Sequence, residues 1–525
     1  MPTPKRPTIG PRGILLTSHA NADLVMAADD QQSLEREVRV LVDGKPTTFT
    51  LTREGVVQSS QPQSFRQINV YNVLWTEVNG DQLELSYISR RKKGKQSALT
   101  RSYWTIEEAD NEEAKEWCEA VMVEAYKGIT PKRRLRILVN PHGGPGKARQ
   151  IYSNTVEPIF QAARCHMETS FTERARHALE LAKQLSLEFD ALVLLSGDGL
   201  LHEVYNGFAE HDDPLTAFSI PVAPIPTGSA NGMAINLLGI EDGFDVAIAC
   251  LNAIKGKPMK QDICSVMLGD KRIFCYFSVS LGLMADLDLG TEHLRWMGDI
   301  RFALGYLYGV MKMKPCPILL EMKTAESDKD KMIEEFRKRS ETHWRVQHAR
   351  ELDGHRHLVG DDALPKLKHN SLKGDADEGW ANSGSSPYVG RDLMQFPVAH
   401  ASDGLIDIVA QEITTRSELL KAMDGAEKGK IFFLETQHYF KAQAYRITPY
   451  SLDGNLAIDG ERYPLQPFTV ECHKALGTLL SPTGHYAAEF DTSQFERRKK
   501  RAQRVSDDDM AVTKRKGLGK LLPCC

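Results

Sequence analysis

The sequence predicts a chain of several domains: a small β-rich module, an α/β domain with a mostly parallel sheet, and an antiparallel β domain. Length is the first observation behind this prediction, because 525 residues are about three times a typical domain. The second is the alternation of short apolar runs with helical segments from residue 136 to 262, which is typical of parallel sheets covered by helices. The third is the return of strand-like runs after residue 262.

The N-terminal part consists of a leader and a β-rich module. Residues 1–36 have no sustained hydrophobic periodicity, and we expect them to be mobile. Within residues 37–130, apolar positions alternate around the hairpin signals Asp43-Gly44 and Asn79-Gly80, and a helix is predicted over Glu112–Tyr126. Strands followed by one helix resemble a pleckstrin-homology-like module. An unrelated small β domain is the alternative.

The α/β domain is predicted over residues 131–278, where the apolar runs Ile137–Val139, Ala191–Leu195 and Ile220–Ile225 read as buried strands. The antiparallel domain is predicted over residues 279–484. A polar segment, residues 323–380, interrupts it and contains five of the sixteen histidines. We interpret this segment as a solvated insertion, since the irregular spacing of its histidines argues against a metal site.

Composition excludes several classes of protein. Lys and Arg number 66 against 70 Asp and Glu, which gives a net charge of −4. This charge argues against a protein whose whole surface is a basic nucleic-acid platform and leaves a local basic patch open. We expect no nucleic-acid partner. No apolar run is long enough to predict a transmembrane helix. The nine cysteines show no CxxC spacing, which fits a reducing cytoplasm without a disulfide framework or zinc site.

Positive charge is concentrated in the C-terminal tail, residues 485–525, which we expect to be disordered. From Arg497 to Lys520, ten basic and three acidic residues give a net charge of +7, so the rest of the chain carries −11. Lipidation of Cys524 and Cys525, together with this charge, would bind an anionic membrane surface. We therefore expect a cytoplasmic protein that associates peripherally with membranes. A nuclear-localisation signal at residues 497–501 is the alternative.

A second basic cluster, Arg90–Lys95, lies on a predicted loop of the N-terminal module. It resembles the loop with which pleckstrin-homology domains bind lipid headgroups, and a solvated hairpin tip is the alternative.

Three glycine-rich turns follow apolar strands. The first is Asn140-Pro141-His142-Gly143-Gly144, whose glycines let backbone N–H groups approach an anion. It is not a Walker A loop, because Pro141 occupies the first glycine position and Ala148 replaces the required Ser or Thr. Alone, this turn is equally explained as a tight connection between strand and helix.

The second and third turns end the next two strands. Ser196-Gly197-Asp198-Gly199 opens a helix at a strand's carboxyl end, where open α/β sheets bind ligands. Asp198 could accept a hydroxyl proton there, and capping of the helix is its alternative role. The third turn contains Gly228-Ser229-Ala230. Three such turns on successive strand ends predict a cleft for nucleotide phosphates.

Together the segments NPHGGPGKA, SGDGLLHEVYNG and PTGSANGMA resemble diacylglycerol-kinase-type lipid kinases, and most closely sphingosine (long-chain-base) kinases. The resemblance extends through ADLDL and RWMGDIRF to AIDGE, over residues 137–472. It implies an α/β nucleotide-binding domain joined to an antiparallel β-sandwich lipid-binding domain, the fold of diacylglycerol and NAD kinases. It also implies ATP and Mg²⁺ as cofactors, and transfer of the γ-phosphate to the primary hydroxyl of a sphingoid base.

The resemblance assigns roles residue by residue. Asp198 matches the acceptor of the hydroxyl proton, and Ser196, Gly197 and Gly199 flank the substrate headgroup. Asp288 matches the carboxylate that binds the sphingoid amine and secondary hydroxyl, and an ammonium is a suitable partner for it. The nucleotide contacts are Asn140, Pro141, His142, Gly143, Gly144, Thr172, Glu173, Arg174, Ala175, Arg176, Glu203, Gly228, Ser229, Ala230, Arg295, Arg301, Asp459, Gly460 and Glu461. The sequence does not assign the magnesium ligands, because water and ATP can supply most of them.

The sequence departs from the family's pattern at three positions. Ala230 replaces a frequent glycine, Pro145 a frequent basic residue and Leu281 a frequent tryptophan. The first two departures leave the detailed geometry of the glycine-rich loops undetermined, and the third leaves the shape of the substrate wall undetermined. A ceramide or diacylglycerol kinase is the nearest alternative, and the SGDG turn with Asp288 favours a sphingoid base. An NAD kinase and a phosphoinositide-binding adaptor with an inert kinase domain are further alternatives. A homodimer, in which a second copy of the chain is the partner, is left open by the sequence.

Overall fold

The computed structural model describes residues 36–496, except for 43, 53–54, 60–64, 91–95, 108–109, 292–293, 295–299, 348–363, 369–379, 413 and 494. The leader up to residue 35, most of the basic loop at 90–95, Arg295 and residues 497–525 of the tail therefore lie outside the described residues. The first part of the tail, which the sequence predicts to be disordered, is described up to Glu496, and its Phe490 and Phe495 are buried against the body. None of the helices in the described part of the chain is long and apolar enough to cross a membrane.

An antiparallel sheet of seven strands and one helix form the N-terminal module. Its strand order is β4-β3-β2-β1-β7-β6-β5. These elements are β1 (Arg36–Val42), β2 (Lys45–Thr52), β3 (Gly55–Ser59), β4 (Phe65–Ile68), β5 (Val73–Asn79), β6 (Gln82–Ser89), β7 (Ala98–Thr105) and α1 (Asn111–Ala125). Both predicted hairpins and the predicted helix are confirmed. Helix α1 forms because its apolar face, with Trp117 and Val121, is fully buried against the sheet.

One mixed sheet of 14 strands forms the rest of the body. Its parallel strands are β8 (Arg134–Val139), β9 (His166–Phe171), β10 (Ala191–Ser196) and β11 (Val222–Pro226). The other strands are β12 (Lys257–Leu268), β13 (Lys271–Cys275), β14 (Ser278–Leu281), β15 (Ile318–Glu326), β16 (Trp380–Gly384), β19 (Ile406–Gln411), β20 (Gln437–Pro449), β21 (Leu456–Ile458), β22 (Glu461–Tyr463) and β23 (Phe468–Ser481). A separate hairpin consists of β17 (Tyr388–Gly390) and β18 (Leu393–Met394).

Helices cover the parallel strands and border the antiparallel ones. They are α2 (Ala148–Ile151), α3 (Glu157–Ala162), α4 (His177–Lys183), α5 (Asp198–Ala209), α6 (Pro214–Ser219), α7 (Gly232–Asp242), α8 (Val246–Lys255), α9 (Leu283–Gly290), α10 (Ile300–Lys312), α11 (Lys329–Gln347) and α12 (Arg416–Lys421). A π-helical turn, Tyr152–Val156, joins α2 to α3. Helix α11 occupies the beginning of the polar segment 323–380, and its Met332 and Ile333 are buried.

The parallel and antiparallel parts meet along β23. This strand pairs in parallel with β11, through Val222 and Leu479, and antiparallel with β12 and β20. The sheet is therefore continuous, and residue 278, the sequence-predicted boundary, lies within it. Because β8 to β11 run in parallel, the turns that follow them open at one edge of the sheet.

Lys255, at the end of α8, fixes the N-terminal module to the body. Its side chain is almost completely buried, and its ammonium donates to the backbone carbonyls of Tyr71, Val73 and Ala125 at 2.9, 2.5 and 2.8 Å. The ring of Tyr126 lies 4.4 Å from the same nitrogen. One hydrophobic core also runs through the module and the α/β part. The module is therefore packed against the body as one unit with it.

Replacing Lys255 by methionine should lower the free energy of unfolding by about 3 kcal/mol, because three buried carbonyls lose their donor. Lys115→Met is the matched control, since Lys115 is exposed and forms a surface ion pair with Glu112 on α1. It should change stability by less than about 0.5 kcal/mol. Urea unfolding followed by tryptophan fluorescence measures both variants, and equal stabilities would refute the role given to Lys255.

Candidate active site

Most of the predicted site residues line one cleft of about 300 Å³ at the carboxyl edge of the parallel strands. The opposite wall comes from β14, β16, α9, α10 and the turn between β21 and β22. The predicted residues that line the cleft are Asn140, Gly143, Gly144, Ser196, Gly197, Asp198, Gly199, Glu203, Gly228, Ser229, Ala230, Asp288, Arg301, Asp459, Gly460 and Glu461. A larger cavity of about 690 Å³ lies beside α11 and contains none of them.

Close backbone contacts hold the three glycine turns together. A Cβ on Gly228 would lie 2.3 Å from the Cα of Gly197, and one on Gly144 would lie 2.6 Å from the carbonyl oxygen of Thr227. Gly144 also has φ +55°, which side chains rarely allow. Glycine is required at these positions because the turns pack backbone against backbone.

Asp198 is the first residue of α5, and its carboxylate accepts hydrogen bonds from the backbone N–H groups of Gly232 and Met233 at 2.8 and 3.0 Å. These N–H groups begin α7, so Asp198 does cap a helix, but a different one from its own. Burial raises the pKa of Asp198, against the lowering effect of the two donors. A fixed carboxylate with a raised pKa in a cleft is suited to accept a proton.

Glu203 lines the cleft and fixes the loop after β9. Its two carboxylate oxygens accept from the backbone N–H groups of Arg176 and Ala178 at 2.9 and 3.1 Å. This loop contains the predicted residues Thr172–Arg176, which lie beside the cleft without lining it. Arg174 instead forms a bidentate ion pair with Glu180, at 2.8 and 2.7 Å. Pro141 and His142 also lie outside the lining.

Asp459 is buried, and the oxygens of its carboxylate are occupied. They accept from the backbone N–H groups of Tyr276, Phe277 and Ser278 at 2.9–3.1 Å. The Nδ1 atom of His202, on α5, lies 2.8 Å from the same carboxylate. Asp459 thus joins α5 to the chain before β14, and the structure gives it a positioning role.

Asp288 and Arg301 enter the cleft from α9 and α10. A Cβ on Gly460 would lie 3.3 Å from Asp288 Oδ2, which places this carboxylate beside the turn between β21 and β22. Arg301 is buried, its guanidinium lies 4.2 Å from the Phe302 ring, and its Nη1 donates to the Thr291 hydroxyl at 3.4 Å. Arg295 lies outside the described residues.

Part of the cleft wall has no counterpart among the predicted residues. It includes Asn382 on β16 and residues 389–393, 395 and 396 around the hairpin of β17 and β18. Asn236 on α7 holds this hairpin, because its amide donates to and accepts from the backbone of Tyr388, both at 2.8 Å. The two residues are 152 positions apart in the chain. The nearest sequence signal was the short polar run around Ser385, which no motif connects to the cleft.

Comparison with known proteins places the chain in a family. Residues 134–266 match the family model described as diacylglycerol kinase catalytic domain. Sphingoid long chain base kinase 4 of Schizosaccharomyces pombe is 32% identical over 422 residues, which cover 79% of this chain and 88% of that protein. The chain belongs to the family of sphingoid long-chain-base kinases.

More distant members of the family of sphingoid long-chain-base kinases match the chain over similar spans. Sphingoid long chain base kinase 5 of Saccharomyces cerevisiae is 27% identical over 71% of this chain and 63% of that protein. Sphingosine kinase 1 of Arabidopsis thaliana is 26% identical, over 78% and 84%. A crystal structure of a diacylglycerol kinase from Bacillus anthracis covers 66% of this chain and 97% of that chain, at a TM-score of 0.42 and 14% identity. Residues 22–127 match a domain of unknown function.

Replacing Asp459 by asparagine should destabilise the protein by about 3 kcal/mol, because an amide presents a donor to backbone N–H groups that need an acceptor. Glu461→Gln is the control from the same turn, since Glu461 is exposed, and it should cost less than about 0.5 kcal/mol. Chemical denaturation compares the two variants. Equal losses would contradict the positioning role of Asp459.

Proposed function

We propose that this chain transfers the γ-phosphate of ATP to the primary hydroxyl of a sphingoid long-chain base, which yields the base 1-phosphate. The observation that carries the proposal is the position of Asp198. Its carboxylate lies between the glycine turns and the antiparallel wall of the cleft, and two N–H groups fix its orientation. Membership of the family of sphingoid long-chain-base kinases supports the same activity.

On the nucleotide side, residues of the three glycine turns and the N-terminus of α5 line the cleft, where their backbone would bind ATP phosphates. Mg²⁺ bound to these phosphates would neutralise charge on the transferred group. Carboxylate oxygens suit this ion, and one or two suffice beside ATP and water. Glu461 is the cleft carboxylate that fits this role, since its Oε1 lies beside Gly199 at the start of α5.

For the transfer itself, the acceptor hydroxyl must lie in line with the γ-phosphorus. Asp198 takes the proton of the primary hydroxyl, the hydroxyl oxygen forms the new bond to phosphorus, and the bond to the leaving ADP oxygen breaks. The proton then passes from Asp198 to solvent. The raised pKa of Asp198 makes its carboxylate a better proton acceptor than an ordinary aspartate.

On the lipid side, the antiparallel part of the sheet would hold the base, as the lipid-binding β-sandwich does in the fold that the sequence resembles. Asp288 would pair with the ammonium of the base. Met284, Leu287 and Phe302 add apolar surface to the same wall, which suits the start of an alkyl chain. Ceramide and diacylglycerol carry no ammonium for Asp288 to bind. A ceramide or diacylglycerol kinase therefore ranks second, behind a kinase of sphingoid bases.

Membrane association is part of the proposal, because the substrate is a lipid. Helix α10 exposes an apolar face next to the cleft, made of Ile300, Leu304, Leu307, Tyr308 and Met311. The seven-stranded sheet with its C-terminal helix supports a pleckstrin-homology-like N-terminal module. The basic tail with Cys524 and Cys525 would add attraction to anionic lipids. We propose that the enzyme acts at the cytoplasmic face of a membrane.

Asp198→Asn should lower kcat with sphinganine by about 10²- to 10⁴-fold, because the amide cannot accept the hydroxyl proton. Affinity for ATP should stay within a few-fold. In the parent enzyme, the acid limb of the pH–rate profile should lie at a higher pH than the usual titration range of aspartate, since burial raises the pKa of Asp198. Radiolabelled ATP measures turnover, and near-full activity of the variant would exclude Asp198 as the base.

Truncation after Glu496 should reduce sedimentation with vesicles of phosphatidylserine and phosphatidylcholine by at least about tenfold, because the segment 497–520 with its net charge of +7 is removed, whereas the buried Phe495 is kept. Activity on a base dispersed in detergent should be unchanged, which controls for folding. A Cys524→Ser/Cys525→Ser double variant separates lipidation from charge in cell fractionation. Unchanged vesicle binding of the truncated chain would refute the tether.

A further inference from the structure

Asn231 is a buried residue that joins the third glycine turn to helix α7. It directly precedes the helix and retains 3% of its accessible surface. Its backbone has φ +51°, in the left-handed region that asparagine adopts more readily than most residues. Its carbonyl oxygen accepts the N–H of Ile235 at 3.1 Å, which is the first hydrogen bond of the helix. Asn231 itself does not line the cleft.

The side chain of Asn231 closes the third glycine turn. Its Oδ1 accepts from the backbone N–H of Gly228 at 2.9 Å, and its Nδ2 donates to the carbonyl oxygen of Gly228 at 2.8 Å. The amide thus binds both backbone groups of one residue. Gly228 is the glycine that packs against Gly197, the residue before Asp198. Asn231 therefore fixes the third turn at the point where it meets the turn of the proposed base.

Because this side chain points back to Gly228, it does not cap its own helix. Asparagine in this position usually accepts from an N–H group of the first helical turn, but Asn231 makes no such bond to α7. The N–H groups of Gly232 and Met233, the first two residues of α7, donate instead to Oδ2 and Oδ1 of Asp198. The carboxylate of Asp198 takes the place of the missing cap.

We propose that Asn231 is a positioning residue for phosphoryl transfer, which fixes the third glycine turn and leaves the first N–H groups of α7 to the carboxylate of Asp198. The inference rests on the proposed function, because it assumes that Asp198 accepts the proton of the substrate hydroxyl. Asn231 acts through Gly228 and the start of α7. A misplacement of reacting groups by about 1 Å can cost about 100-fold in rate, so turnover depends on Asn231 more than binding of the base does.

Asn231→Gly tests this role, since glycine adopts the left-handed conformation and removes the two side-chain hydrogen bonds. With sphinganine and saturating ATP, kcat should fall by about 10- to 100-fold. The KM for sphinganine should stay within a few-fold, because Asp288 and the antiparallel wall are unchanged. Asn231→Ser, which is neutral and too short to bind both backbone groups of Gly228, replaces the glycine variant if the latter does not fold.

The pH–rate profile gives a second readout, which a purely structural role would not change. The N–H groups of Gly232 and Met233 lower the pKa of Asp198, against the raising effect of burial. When the start of α7 is no longer fixed, these donors bind the carboxylate less well, and the pKa of Asp198 rises further. The acid limb of kcat should therefore lie at a higher pH in Asn231→Gly than in the parent enzyme.

The other titratable groups around Asp198 are the same in the variant and the parent, so a difference between their profiles reports the two donors. Asp459 raises the pKa of Asp198 through its charge, and the hydroxyl of Tyr276 donates to the backbone carbonyl of Asp198 at 2.8 Å. The remaining charged residues of the cleft lining are Glu203, Asp288, Arg301, Arg391, Asp392 and Glu461.

Asn252→Ala is the matched control. Asn252 lies on α8, outside the cleft lining, and retains 2% of its accessible surface. Its Nδ2 donates to the carbonyl oxygen of Leu480 at 2.9 Å. Both substitutions remove a buried side-chain hydrogen bond and should lower the melting temperature. The control should keep the kcat and the acid limb of the parent enzyme.

A folded Asn231→Gly variant with the kcat and the acid limb of the parent would overturn the role of Asn231, and so would equal changes in Asn252→Ala. Failure of the proposed function would look different, because the parent enzyme would then phosphorylate no sphingoid base. The activity of the parent protein alone therefore separates the two claims.

Discussion

The contact between Gly197 and Gly228 is the constraint on which the rest of the cleft depends. Strands β10 and β11 are parallel neighbours, so the turns that follow them meet at one edge of the sheet. They approach so closely that no side chain fits between them. This approach brings the start of α7 to the start of α5, where two N–H groups of one helix bind the carboxylate of the other. The orientation of Asp198 is thus a consequence of backbone packing.

A second set of contacts ties this edge to the antiparallel half. Strand β23 pairs with strands from both halves, so the sheet does not divide between them. Asp459 accepts hydrogen bonds from three successive N–H groups at the start of β14 and lies against His202 of α5. The walls proposed for nucleotide and lipid are therefore held by one rigid network. In-line phosphoryl transfer depends on such positioning more than on covalent chemistry by the protein.

Local sequence patterns predicted the features that depend on local chemistry. Gly144, Gly197 and Gly228 could be recognised because their turns follow apolar strands, and parallel pairing of those strands brings the turns together. The same logic located Asp198 but not its partners, since its carboxylate caps α7 instead of the helix that it begins. Asp459 matched a motif for nucleotide contact. That its carboxylate already accepts hydrogen bonds from three backbone N–H groups could be learned only from the structure.

The features that could not be predicted from the sequence depend on contacts between distant parts of the chain. Asn382 lies at the cleft because β16 pairs with β14. About a hundred residues separate the two strands in the sequence, and no motif in the sequence predicts that they pair. The apolar residues of α10 show helical periodicity, but periodicity does not tell which face a neighbour covers. In the structure, Leu307 and Met311 are exposed, although such a stripe usually packs into a core.

The most direct test of the account is a side-by-side kinase assay of the full chain with radiolabelled ATP. The acceptors are sphinganine, phytosphingosine, ceramide and diacylglycerol, each presented in the same detergent micelles. We predict labelled 1-phosphates from the two free bases and little or no product from ceramide or diacylglycerol, because only the bases offer an ammonium to Asp288. Preferential labelling of ceramide or diacylglycerol would contradict it.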